Sequence, residues 1–159
     1  MTKLTDIRID EATWATGSRE RRLEWRVALR EILEEHRFEA SAPALAMLVT
    51  YRDGDVHLAG HSPEGERVLA IEVPRQAIVG HLDEYLSICK EMSKLGNAHA
   101  ARYEALDIAK RLVHDDAADT LLGLCRVLRP DLSTCRRFFT LFVTLYVDTT
   151  RLAVPHHRR

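Results

Sequence analysis

The chain has 159 residues, is 46% apolar and 30% charged, and carries seven Gly and five Pro, a balance that fits one folded domain and excludes a disordered tail or a collagen-like array. A formal net charge of −1 argues against a phosphate-tracking nucleic-acid binder, and an aromatic content of 6% leaves few bases' worth of stacking surface.

The first predicted element is a strand over Leu4–Ile9, with Ile7 and Ile9 on one face. Ser18 reads as an N-cap for a helix over Arg19–Phe38, in which Trp25, Ala28, Leu29, Ile32 and Leu33 keep helical spacing. Ala44–Tyr51 and Val56–Gly60 flank Arg52-Asp53-Gly54-Asp55, a hairpin signal, and Ser62-Pro63-Glu64-Gly65 turns the chain into a further strand over Arg67–Val73. Together these strands predict a small antiparallel sheet of three to four strands, with the N-terminal strand as the fourth.

The period changes at Pro74. Ile78, Leu82, Tyr85, Leu86, Cys89 and Met92 lay an apolar stripe along one long helix, with Gly96-Asn97 as its break. A second helix is predicted from Ala98 to Val113 and a third from Asp115 to Leu128, its start favoured by two acids near exposed amides. Pro130 interrupts, and Asp131 or Ser133 caps a last helix through Val147. The fold class is therefore α+β: the sheet and one early helix, then a C-terminal bundle of three to four helices. One domain spans residues 4–150, with a short basic tail over 151–159.

The longest apolar run, Phe138–Val147, is ten residues and contains Thr140 and Thr144, about half of what a membrane-crossing helix needs. Met1–Asp10 has no hydrophobic signal region, and Cys89, Cys125 and Cys135 form no paired framework, so the expected compartment is the cytoplasm. The last helix is apolar nearly all round. It belongs either in the centre of the core or, through Phe138, Phe142 and Tyr146, at an interface with a second copy.

The most informative polar constellation is Glu104, Asp107, Arg111 and His114, which share an arc of about 80° on one helix. A carboxylate can orient an imidazole for proton transfer and a guanidinium can hold an anion, yet the same pattern describes a solvated helix face opposite Ala105, Ile108, Ala109 and Leu112. Arg136 and Arg137 precede the apolar run and are expected to pair with Glu104 or Asp107 across two helices. A second stripe, Arg19, Arg22, Arg26 and Arg30, is offset by five glutamates on the same helix. His57, His61, His156 and His157 lack a metal-ligand spacing, and no nucleotide-loop, nucleophile-elbow or zinc-helix motif is present, so no metal and no cofactor is expected.

Two segments resemble a known family. Glu104-Ala105-Leu106-Asp107-Ile108-Ala109-Lys110-Arg111-Leu112-Val113-His114 and Leu132-Ser133-Thr134-Cys135-Arg136-Arg137-Phe138-Phe139-Thr140-Leu141 are similar to characteristic stretches of the bacterial uncharacterised protein family UPF0262. Ile7–Glu11 and Leu33–Phe38 fit more loosely. The resemblance departs at Val113 and Asp115-Asp116, where the family carries Gly before its His and Asn-Glu after it, and around Met92-Ser93, where the family carries tyrosines. It implies a bacterial cytosolic origin and brings no activity with it. Its matches fall on Glu104, Asp107, Arg111, His114, Arg136, Arg137 and Phe139, the polar positions above among them.

With no nucleophile, metal or nucleotide signature, the sequence points first to a non-enzymatic interaction or regulatory protein with a protein partner or a second copy of itself. The alternative is a small anion-binding module or enzyme acting on a carboxylate or phosphate ester through His114, Asp107 and the arginines. A deep pocket holding His114 and Arg136 favours the second; an open apolar patch favours the first.

Overall fold

Period-two alternation of apolar residues dictates a sheet with one buried face, and the computed structural model, which describes residues 1–95 and 99–152, contains it. Strands β1 (Lys3–Ile9), β2 (Ala44–Arg52), β3 (Asp55–His61) and β4 (Arg67–Val73) lie in that order across one sheet. Leu4, Ile7 and Ile9 of β1, Leu45, Met47 and Val49 of β2, Val56 and Leu58 of β3, and Leu69, Ile71 and Val73 of β4 all point inward. The expected β2–β3 hairpin is present, and its turn is only two residues, Asp53 and Gly54, both at positive φ (53° and 88°), because Arg52 and Asp55 still pair. Gly54 also has Arg75 beside it, so close that a Cβ there would lie 2.4 Å from Arg75 Cδ.

Strands β2, β3 and β4 form the antiparallel meander, but β1 joins β2 in parallel. The cause is the connection. Two helices, α1 (Glu11–Ala15) and α2 (Arg19–Glu34), fill the crossover and return the chain to the same end of the sheet. Ser18 caps α2 as expected, accepting from Arg21 N at 3.1 Å. The helix stops at Glu34 rather than Phe38, because His36 and Phe38 are tied to the sheet edge. Leu4 N donates to His36 Nε2 at 2.9 Å, and Thr2 bridges to Phe38.

The helical half contains α3 (Arg75–Lys94), α4 (Ala100–Leu124) and α5 (Leu132–Tyr146). The two helices expected on either side of His114 are one: no Gly or Pro falls between Ala100 and Leu122, and Asp115-Asp116 lie in mid-helix. The expected break at Gly96-Asn97 and residues 153–159 of the tail, with His156 and His157, lie outside the described residues. Among the described residues no helix is long and apolar enough to cross a membrane.

Helix α5 runs through the core. Every residue from Arg137 to Leu145 is buried, and one apolar cluster joins α5 to α2, α3, α4 and the sheet. Phe138 packs on Phe38 and on Phe142, with ring centroids 6.0 Å apart in both pairs. Phe138 and Phe142 therefore offer no surface to a second copy; the chain's own core covers them. Tyr146 is half-buried and donates to Asp83 Oδ1 at 2.8 Å.

A helix so enclosed must satisfy its polar atoms within the fold. Asp131 is the N-cap, accepting from Thr134 N at 2.8 Å. At the other end Arg21 Nη2 donates to the carbonyls of Thr144 (3.0 Å) and Leu145 (3.2 Å), and Trp25 Nε1 donates to Thr144 O at 2.9 Å. Phe142→Ala should cost about 3–5 kcal/mol in urea denaturation, the range for emptying a packed aromatic site. Phe142→Glu should lose the cooperative transition altogether.

Candidate functional site

The core stripe of α4 carries charge. Lys110, His114, Ala117 and Leu121 follow one another at helical spacing and are all buried, Lys110 and His114 at 6% and 5% exposure. The rotation of α4 that seats Ala117 and Leu121 in the core also turns Lys110 and His114 inward. Ile108 and Leu112, expected on the buried side, face solvent at 52% and 60% exposure. Glu104 is exposed, and Arg111 reaches outward to bind Asp107 Oδ2 at 2.6 Å. The four-residue face read from spacing is thus split, with His114 taken inside.

Opposite this stripe, the first two turns of α5 present Ser133, Arg136 and Arg137. With Tyr85 of α3 and with Lys110, Arg111, His114 and Asp115 of α4, they line a cavity of about 420 Å³. His114 and Arg136 therefore meet in one pocket. Motif and spacing do not assign Lys110, Tyr85, Ser133 or Asp115 to a site. The available signal is a lysine four residues before His114 and seven before Ala117, on a stripe otherwise destined for burial.

His114 sits edge-on to Phe139 (5.2 Å between centroids) and to Tyr85 (5.8 Å). Its Nε2 is 3.1 Å from Thr140 Oγ1, and that hydroxyl donates to Arg136 O at 3.1 Å. A threonine has one hydroxyl proton, so His114 Nε2 is the donor in this pair. Burial pushes the Tyr85 phenol far above its ordinary pKa, with the neighbouring Cys89 thiol adding to the effect. The Cys89 thiol is likewise raised by burial, against the pull of Lys110 and of its hydrogen bond with Tyr85. Tyr85 is accordingly a neutral wall group at physiological pH, bonded to a neutral Cys89 thiol.

The cations have different anchors. Arg137, 6% exposed, donates from Nη2 to Glu35 Oε2 at 2.6 Å and from Nη1 to Ser133 Oγ at 3.1 Å. Arg136 donates from Nε to Asp115 Oδ1 at 2.6 Å. Lys110 Nζ lies 3.6 Å from Asp107 Oδ1. The cross-helix pairing expected of the two arginines exists, but its acids are Asp115 and Glu35 in place of Glu104 and Asp107. Asp107 serves instead as a local anchor for Lys110 and Arg111. Of the early arginine stripe, Arg22 and Arg26 fold over the Trp14 ring, at 5.5 and 5.3 Å. Among the described residues no three His, Cys, Asp or Glu side chains gather into a set that could hold a metal ion.

Residues 1–148 match the family described as "Uncharacterised protein family (UPF0262)". A UPF0262 protein of Caulobacter vibrioides is 29% identical over 153 residues, covering 91% of this chain and 92% of its own. One from Phenylobacterium zucineum is 28% identical over 151 residues, with the same coverage, and one from Rhizobium etli is 28% identical over 125 residues, covering 76% and 80%. No solved structure matches.

The two arginine pairs should differ in strength. Asp115→Asn should cost less than about 1 kcal/mol of stability, since both partners reach water. Glu35→Gln should cost more, about 1.5–3 kcal/mol, because it takes a charged partner from a buried guanidinium; urea denaturation ranks the two. Burial pushes the Asp131 carboxyl up, but the Thr134 hydroxyl and N–H bonds, with Arg37 and Arg137, bring it below its ordinary value. A lowered folded pKa means that the cap's contribution is complete above the ordinary carboxylate value, about 3.9, and is lost as pH falls through the lower folded value. Asp131→Asn should therefore flatten stability against pH below about pH 4.

Proposed function

The chain belongs to the UPF0262 family, and we propose that it binds a small anion, a carboxylate or a phosphate ester, in the cavity between α4 and α5. The observation that carries this reading is the convergence of Lys110, Arg111, Arg136 and Arg137 on one cavity of about 420 Å³, within the size range of small-molecule sites. Two of these cations are more than nine-tenths buried, so their charge acts at reduced screening.

The remaining wall suits the same ligand. Ser133 lies in the first turn of α5, where the helix dipole favours negative charge, and its hydroxyl is held by Arg137. Guanidinium groups present paired N–H donors that match carboxylate and phosphate oxygens. Tyr85 and His114 give the cavity one aromatic side, with Phe139 packed edge-on against both rings.

Calorimetric titration with inorganic phosphate, pyrophosphate and succinate tests the proposal. At least one should bind saturably, and at about a hundred times its Kd should add about 2.7 kcal/mol to the unfolding free energy. Arg136→Gln should weaken that binding by about tenfold or more, whereas Glu104→Gln, outside the cavity, should leave it unchanged. Absence of saturable binding by all three at millimolar concentration would remove the reading. A protein partner is the second reading, favoured by Ile108 and Leu112 standing 52% and 60% exposed on successive turns of α4.

A further inference from the structure

The four cations of the cavity are not equally available, and the difference lies in how each is held. Arg137 is buried and gripped by two groups, Glu35 and Ser133. Lys110 is buried beside Asp107. Arg111 lies 63% exposed and binds Asp107 along its own helix. Arg136 alone of the three arginines is held by one bond across to another helix, from Nε to Asp115 Oδ1. Among the described residues, its Nη1 and Nη2 donate to no other group.

We propose that Asp115 is an internal competitor for the ligand: its carboxylate occupies on Arg136 the place that the incoming anion takes, and binding displaces it. This rests on the anion-binding reading above. Three features support it. Asp115 itself lines the cavity, so an anion entering there meets its negative charge. A carboxylate and a ligand carboxylate or phosphate make the same kind of bond to a guanidinium, so one can replace the other without rebuilding the site. The pair is also exchangeable, because the side chains are 30% and 45% exposed and water can solvate the released carboxylate. The Arg137–Glu35 pair is the contrast, since releasing it would leave a buried guanidinium with one neutral partner.

On this account Asp115 sets the affinity threshold of the site. The cavity holds a weak, self-supplied anion until a ligand whose two oxygens bond the guanidinium side by side replaces it, taking the Nε position of Asp115 together with the adjoining Nη2.

The test is titration of wild type, Asp115→Asn, Asp116→Asn and the Asp115→Asn/Arg136→Gln double variant with phosphate, pyrophosphate and succinate at one ionic strength. Asp116 is the neighbouring exposed acid and does not line the cavity, so it controls for net charge. Asp115→Asn should bind about tenfold more tightly than wild type, equal to about 1.4 kcal/mol. Asp116→Asn should shift affinity less than about threefold, the scale of a screened surface charge. The double variant should lose the gain. Helical circular dichroism of each variant confirms that the fold is kept. If wild type binds and Asp115→Asn matches it, binds more weakly, or gains no more than Asp116→Asn, the competitor role is overturned while the anion site stands. If wild type binds none of the three anions at millimolar concentration, the anion site falls and the competitor role with it.

Discussion

The burial of α5 is the constraint on which the rest of the structure depends. Nine consecutive residues, Arg137–Leu145, lie inside the protein, so every side of the helix needs a partner. The sheet, α2, α3 and α4 supply them, and the backbone ends are satisfied by Asp131 at one terminus and by Arg21 and Trp25 at the other. Even the hydroxyls inside are turned back on the helix itself, Thr144 Oγ1 donating to Leu141 O at 2.6 Å and Thr140 Oγ1 to Arg136 O at 3.1 Å.

That arrangement creates the candidate site as a by-product. The charged residues of α5, Arg136 and Arg137, fall at its second turn, where the helix enters the core. Arg137 is already inside and needs Glu35 and Ser133 to stay there; Arg136 is still at the margin and reaches Asp115. The core stripe of α4 brings Lys110 and His114 to the same margin. A small domain rarely buries two cations, here Lys110 and Arg137, beside one cavity for stability, because desolvation consumes most of the Coulomb gain. Their concentration around one cavity is the feature that an anion site accounts for.

The inversion of α4 shows how strongly packing overrides a local pattern. The hydrophobic and polar residues of the 104–114 segment sort as an ordinary amphipathic helix, with Ile108 and Leu112 inward. Because α4 is one helix through Leu124, its rotation is fixed by Ala117, Ala118 and Leu121 further along, which fit closely against the bundle. The rotation that seats those residues leaves Ile108 and Leu112 at the surface.

The sequence by itself determined the elements whose signals are local. The strands come from alternation, the hairpin from Arg52-Asp53-Gly54-Asp55, the α2 start from Ser18, the α5 start from Asp131 or Ser133, and the long helix α3 from its apolar stripe; each needs only neighbours in the chain. The motif segments also marked His114, Arg136 and Arg137 as belonging together. Only the tertiary structure decided the features that depend on distant contacts. The parallel pairing of β1 requires the crossover through α1 and α2, and the central place of α5 requires four elements around it. The partners of the two arginines, Asp115 and Glu35, are 21 and 102 residues away. Charge alone offers many acids to an arginine, and helical spacing constrains only those on the same helix. The choice among the others is made by which helices pack side by side, and that is settled by volume and burial across the whole core.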